Sequence, residues 1–126
     1  MKNYNKFIQE AISQTGIEPQ SKTLNQNSVA KIVNTSSYGP GLYGNPTASG
    51  TTLNPNTIGV AHKTLPLGTK VRITDPTTNK TVNTKVIDRG PYESGRDYDL
   101  TDATVKALGY KGYKDYGVRK VDITPY

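Results

Sequence analysis

Lys70-Val-Arg-Ile-Thr74, then Asp75-Pro-Thr-Thr-Asn79, then Thr81-Val-Asn-Thr-Lys-Val-Ile-Asp88 read as a strand, a turn and a returning strand. Val71 and Ile73 alternate with Lys70, Arg72 and Thr74, which is the period of a half-buried strand. On the return, Val82, Thr84, Val86 and Asp88 fall on one face. Asp75 and Pro76 suit the turn, because Asp bonds backbone just ahead of it and Pro fixes φ. A period of two with β-branched residues on the inner face argues for a sheet. The 12 Gly and 8 Pro among 126 residues argue against a helical bundle.

Outward from this hairpin the pattern continues. Val118 to Thr124 is a further alternating stretch with Val121 and Ile123 inward, Thr57 to His62 is a small apolar run, and Val29 to Val33 is a short β-prone one. Tyr38 to Gly50 is a Gly- and Pro-rich loop. Leu100 to Gly109 reads as the one helix of this part, with Asp99 or Thr101 as N-cap, Val105 and Leu108 buried, and Gly109 as the stop. Many short strands with one late helix predict a mainly-β fold, a small β-barrel. Ahead of it, residues 3 to 16 predict a short amphipathic helix presenting Phe7, Ile8, Ala11 and Ile12, and residues 18 to 28 a polar linker. The expected division is an appendage over 1–28 and a folded domain over 29–126. A helix this short is marginal alone and needs a surface to dock on, in this chain or in a larger assembly.

Composition narrows the chemistry. With Cys at 0, disulfides and thiolate catalysis are excluded, and a single histidine, His62, excludes a multi-histidine metal site within one chain. No metal or other cofactor is implied. Sixteen basic against 10 acidic residues give +6, which suits an anionic partner without choosing among nucleic acid, membrane and bacterial wall. No stretch reaches the roughly 18 apolar residues of a membrane span. Nor does the basic start lead into the apolar core of a signal peptide. The expectation is therefore delivery by another route, in a phage particle, on lysis, or as a mature or excised fragment.

Candidates for proton transfer concentrate in two segments. Ala61-His-Lys-Thr-Leu-Pro-Leu-Gly-Thr69 carries His62 at the end of an apolar run, just before a rigid turn. Val86-Ile-Asp-Arg-Gly-Pro-Tyr92 carries Asp88 at a strand end before Gly90-Pro91. A carboxylate beside an immobile turn is well placed to be aimed into a groove. Asp in such a place also serves simply to cap the turn, and a lone His is often an ordinary half-buried residue.

Together with Tyr38-Gly39, Thr47-Ala-Ser-Gly50, Val71-Arg-Ile-Thr74 and Asp99-Leu100, these segments resemble a known family in order and spacing. It is the double-psi β-barrel domain of rare lipoprotein A, a septal lytic transglycosylase family related to expansins and to family 45 endoglucanases. The resemblance spans about residues 34 to 124. It implies a six-stranded barrel with one short helix, an open sugar-binding groove, and cleavage of peptidoglycan between N-acetylmuramic acid and N-acetylglucosamine to leave 1,6-anhydromuramyl ends. Asp88 takes the place of the family's catalytic aspartate and His62 that of its histidine.

A lytic transglycosylase needs no water, because the C6 hydroxyl of muramic acid attacks the anomeric carbon. One carboxyl group then serves as acid and afterwards as base, where ordinary glycosidases use two. To act as acid, Asp88 needs surroundings that favour its neutral form, and Arg89 next to it pulls the other way unless alternation parts the two side chains. His62 is expected to hydrogen-bond either Asp88 or the substrate.

The expected substrate contacts are Tyr38, Tyr43, Ser49, Thr51, Arg89, Tyr92 and Asp99. Tyrosine rings lie against the apolar faces of sugars while their hydroxyls bond sugar oxygens. Thr51 departs from the acidic residue that many relatives carry after Ser-Gly, which favours a non-catalytic, expansin-like wall-binding module as the alternative reading. The partners so implied are peptidoglycan glycan strands and, through charge, anionic wall polymers, with residues 1–28 as a possible link to a phage tail. The lysines among Tyr110, Tyr113 and Tyr116 resemble a single-stranded nucleic-acid surface, but a solvated loop with half-buried rings accounts for them, and no nucleic-acid partner is expected.

Overall fold

The computed structural model describes residues 31–126, so the expected helix over 3–16, the linker and the boundary near Ser28 lie outside the described residues. Six strands, β1 (Ile32–Tyr38), β2 (Val60–His62), β3 (Lys70–Thr74), β4 (Thr81–Asp88), β5 (Tyr98–Thr101) and β6 (Arg119–Pro125), close into a barrel in the order β1-β5-β2-β4-β3-β6. The pairs β1–β5 and β2–β4 are parallel and the remaining pairs antiparallel. This is the mixed six-stranded double-psi barrel. Among the described residues no helix is long and apolar enough to cross a membrane.

The hairpin β3–β4 and the closing strand β6 follow the predicted alternation. Val71, Ile73, Val121 and Ile123 are buried with Val60, Val86 and Leu100 in one core, and Val105 of the helix α1 (Asp102–Ala107) and Leu108 at its C-cap pack into it. Each such fully buried aliphatic side chain is worth about 1.5–3 kcal/mol. Polar clamps support this small core. Asp75, fully buried, accepts the N–H groups of Thr77 (2.7 Å) and Thr78 (3.3 Å) in its turn and the Tyr110 hydroxyl at 2.6 Å. Arg119 stacks over Tyr110 and donates to the same hydroxyl at 2.8 Å.

The structure corrects the expected elements at three places. Leu100 and Thr101 belong to β5, and α1 begins only at Asp102, because the Thr101 side chain caps it by accepting the Thr104 N–H at 3.2 Å. The domain carries a second short helix, α2 (Tyr113–Tyr116), in the Gly- and Tyr-rich segment expected to be a loop; it turns Tyr116 into the core against Thr35. And β1 runs on through the polar Asn34 to Ser37, because it is held between β5 and β6.

Candidate functional site

Asp88 does not share a face with Val86. Val60 of β2 faces Val86, but the next residue, Ala61, faces Asp88, so two steps along β4 match one along β2. This register shift, of the β-bulge kind, inserts Ile87 as an extra buried residue and turns Asp88 to the face opposite the core. Gly59 makes room for it: a Cβ there would stand 2.5 Å from Ile87 Cδ1.

On that face Asp88 is held from three directions. Its Oδ1 accepts the backbone N–H groups of Ala48 and Arg89, each at 2.9 Å, and its Oδ2 is approached by the Tyr38 hydroxyl at 3.5 Å. Burial, followed by the charges of Asp88 and Asp99, pushes the Tyr38 hydroxyl well above the ordinary tyrosine range, so it stays a donor at any working pH. Asp88 and Tyr38 form one wall of a cavity of about 150 Å³ completed by Leu42, Pro46, Thr47 and Leu53. The loop that supplies the Ala48 N–H is fastened to β4 by Ser49, whose N–H donates to the Ile87 carbonyl at 3.0 Å. Thr47 ties the loop to itself through Thr51, donating its N–H (2.8 Å) and its hydroxyl (2.9 Å) to the Thr51 carbonyl. Ser49 and Thr51 thus act here as the scaffold of the Ala48 contact.

A second carboxyl stands on the same face. Ala61 pairs with Asp88 on one side and Asp99 on the other, and Asp99 pairs in turn with Ser36 of β1. Side chains in register share a face, so Ser36, Asp99, Ala61 and Asp88 form a row across four strands. The Ser36 hydroxyl donates to Asp99 Oδ1. Burial pushes the Asp99 carboxyl above the usual carboxylate range, helped by Glu93 and opposed by the Ser36 hydrogen bond and the charges of Arg96 and Lys63. The surroundings of Asp99 thus favour its protonated form. Neither Ser36 nor the Ala48 N–H was foreseen. A tight turn at Thr47-Ala-Ser-Gly50, where Gly50 adopts a φ of 92°, was the available signal for the second.

His62 and Asp88 share no hydrogen bond. His62 pairs with Tyr98, lies on the Val60 face of β2, and its ring packs at a tilt of 56° against Tyr98 with centroids 4.7 Å apart. Its Nδ1 accepts the N–H groups of Thr64 (3.1 Å) and Leu65 (3.0 Å), so the proton of the neutral ring sits on Nε2. Burial lowers its pKa, as do the charges of Lys63 and Arg89, while Asp97 opposes them. The Arg89 guanidinium is drawn away from Asp88: its Nη1 donates to the carbonyls of His62 (3.2 Å) and Leu65 (2.7 Å), bracing the turn that orients the imidazole. Tyr43 lies outside the Asp88 cavity, and burial, followed by the charge of Asp102, raises the pKa of its hydroxyl. Tyr92 is 82% exposed beside Gly90, free to meet a ligand.

Residues 31–123 match the family described as lytic transglycolase. This chain belongs to that family. The endolytic peptidoglycan transglycosylase RlpA of Pseudomonas aeruginosa PAO1 is 42% identical over 88 residues, covering 69% of this chain and 26% of the relative. That of Campylobacter jejuni is 44% identical over 71 residues, 56% of this chain and 26% of the relative. The probable RlpA of Synechocystis is 42% identical over 72 residues, 57% of this chain and 22% of the relative. The chain thus spans about a quarter of the length of these relatives. The crystal structure of the apo expansin of Clavibacter michiganensis superposes with a TM-score of 0.57 at 19% identity, over 78% of this chain and 50% of the other, and shares the barrel fold.

Proposed function

We propose that this domain is a peptidoglycan lytic transglycosylase that cuts between N-acetylmuramic acid and N-acetylglucosamine, with Asp88 as the acid and base. The observation that carries this reading is the asymmetry at Asp88. Two backbone donors anchor Oδ1, whereas Oδ2 has one long contact with a tyrosine hydroxyl. Oδ2 is then the oxygen free to exchange a proton with a substrate. In the forward step Oδ2–H protonates the glycosidic oxygen of the departing sugar as the C1–O bond breaks. The muramic acid O6 bonds to C1, and Oδ2 takes the O6 proton, which restores the carboxyl group. His62, neutral with its proton on Nε2, assists as a donor to the glycan. Tyr92 offers an exposed ring to a sugar face.

The relatives named as peptidoglycan transglycosylases support the substrate class, and the +6 charge supports attraction to an anionic wall. The deciding experiment is digestion of purified peptidoglycan by the wild type and by Asp88→Asn, with products read by mass spectrometry. The expected result is anhydromuramyl ends from the wild type alone. A folded Asp88→Asn protein that still produces them removes the assignment.

The raised proton affinity of Asp99 favours a second reading, in which Asp99 is the acid and Asp88 activates water. Both residues pair with Ala61, one on each side of β2, so two carboxyls share one face, as an inverting glycosidase requires of its acid and base. Hydrated reducing ends in the same digest would establish that reading. Binding to the wall without any product would establish the wall-binding module that Thr51 favours.

A further inference from the structure

The cavity beside Asp88 is too small for a sugar ring. Its volume is about 150 Å³, and a water takes up roughly 30 Å³, so it has room for about five water-sized groups. That is space for one substituent of a sugar whose ring stays outside in the groove.

The lining selects among such substituents. Its apolar part is Leu53, 2% exposed, Pro46, and Leu42, 46% exposed on the 3₁₀ turn Pro40–Leu42. This wall is fastened before any ligand arrives: the Gly44 N–H donates to the Leu53 carbonyl at 2.8 Å, and the Leu53 N–H to the Asn45 carbonyl at 2.9 Å. The Thr47 hydroxyl is engaged by the Thr51 carbonyl at 2.9 Å and the Ser49 hydroxyl at 3.0 Å. Asn45 also lines the cavity, and its backbone N–H donates to the Leu42 carbonyl at 3.1 Å. Its side-chain amide has no hydrogen-bond partner among the described residues.

The charge of the lining narrows the choice further. Asp88 is acidic and no lysine or arginine lines the cavity, so a carboxylate is repelled. A hydroxyl leaves the two leucines without a partner. An ammonium meets Asp88 but sets a hydrated cation against apolar side chains. A neutral group with a methyl for the leucines and an amide for Asn45 satisfies both parts of the wall.

We infer that this cavity is an acetamido pocket. It takes the 2-acetamido group of the sugar next to Asp88, with the methyl against Leu42, Pro46 and Leu53 and the amide against the Asn45 side chain. The inference rests on the glycan reading above and names the substituent that sets specificity there.

The test is calorimetric binding of the full chain to three β-1,4 tetramers that differ only at C2. N-acetylglucosamine carries an acetamido group there, glucose a hydroxyl and glucosamine an ammonium, and none has a lactyl or peptide group. The acetylated tetramer is expected to bind about ten-fold or more tighter than either of the others, the discrimination an apolar pocket gives. Asn45→Ala and Leu42→Ser, both at exposed positions and checked for folding by their melting curves, should each lower that preference. The expected drop is about two- to ten-fold, the worth of one hydrogen bond or of part of an apolar contact.

Equal affinity for the acetylated and glucose tetramers overturns the proposal, as does no binding of the acetylated one. Tightest binding of the glucosamine tetramer does the same, since the carboxylates alone would then select. A preference that both variants keep in full also overturns it, because the acetyl group is then read elsewhere. Failure of the peptidoglycan reading is visible separately, as an acetyl preference in a protein that makes no cut. Cutting of N-deacetylated strands as fast as of acetylated ones removes the pocket and leaves that reading standing.

Discussion

Ser36 and Asp99 lie opposite one another in the parallel β1–β5 pair, and the serine hydroxyl donates to Asp99 Oδ1. That bond favours the anion, yet burial outweighs it and leaves the Asp99 carboxyl with a raised pKa. A carboxyl raised on folding contributes stability that is fully present below its unfolded value, near 3.8, and is lost as pH rises through its folded value. Asp99→Asn keeps an acceptor for Ser36 and removes the titration. The variant should gain melting temperature over the wild type as pH climbs from 3 to 7, with no gain at the acid end. A gain that is the same at every pH would remove burial of the charge as the cause.

His62 has the opposite sign. Its pKa is lowered, chiefly by burial, so its neutral form is favoured in the fold. Stability from the neutral ring is present above about 6.5, the unfolded value, and is lost as pH falls through the folded one. Protonation at Nδ1 also breaks the bonds from Thr64 and Leu65. NMR titration should show a midpoint below 6.5 and Nδ1 unprotonated at neutral pH. If His62 donates to the glycan as proposed, the acid limb of glycan binding should follow that midpoint. A midpoint at or above 6.5 would contradict the arrangement.

The barrel was legible where one rule decided. Val71, Ile73, Val121 and Ile123 alternate with polar residues and are buried, because a sheet with one dry face demands that period. Tyr98–Thr101 is only four residues long, and Leu100 fits the spacing of the helix that follows, so β5 was hidden inside a helical pattern. Asp88 and His62 were visible as residues at strand ends. Their faces were not visible, because a register shift leaves no mark in a single sequence. The Arg89 side chain shows the same limit: its partners are main-chain carbonyls, which every residue possesses.

Those carbonyls make Arg89 a positioning residue for His62, and a testable one. Nη1 serves His62 O and Leu65 O at once, bracing both ends of the turn whose N–H groups hold Nδ1. Arg89→Gln should lower unfolding free energy by about 1.5–3 kcal/mol, the range for hydrogen bonds to a charged group. If His62 meets the substrate as its reaction proceeds, kcat should fall more than KM rises, and Arg89→Lys should recover part of it. A rise in KM alone would instead mean that the guanidinium binds glycan directly.

The last prediction concerns the register shift that turns Asp88 out of the core. Ile87 is buried as the extra residue, and a Cβ on Gly59 would meet its Cδ1 at 2.5 Å and its Cγ1 at 2.7 Å. Gly59→Ala therefore forces Ile87 to move, at a cost of about 1–3 kcal/mol typical of overpacking. The displaced residue adjoins Asp88, so the bonds from Ala48 N–H and Tyr38 should loosen and cleavage should fall together with stability. Ile87→Ala alone leaves a cavity and costs about 2–5 kcal/mol. In the double variant the new methyl occupies space that the shortened side chain has vacated, so the two losses should be less than additive, measured by denaturant unfolding as a coupling of about 0.5–3 kcal/mol. Strict additivity would mean that Gly59 and Ile87 are not in contact, and the packing account of how Asp88 reaches its face would fall with them.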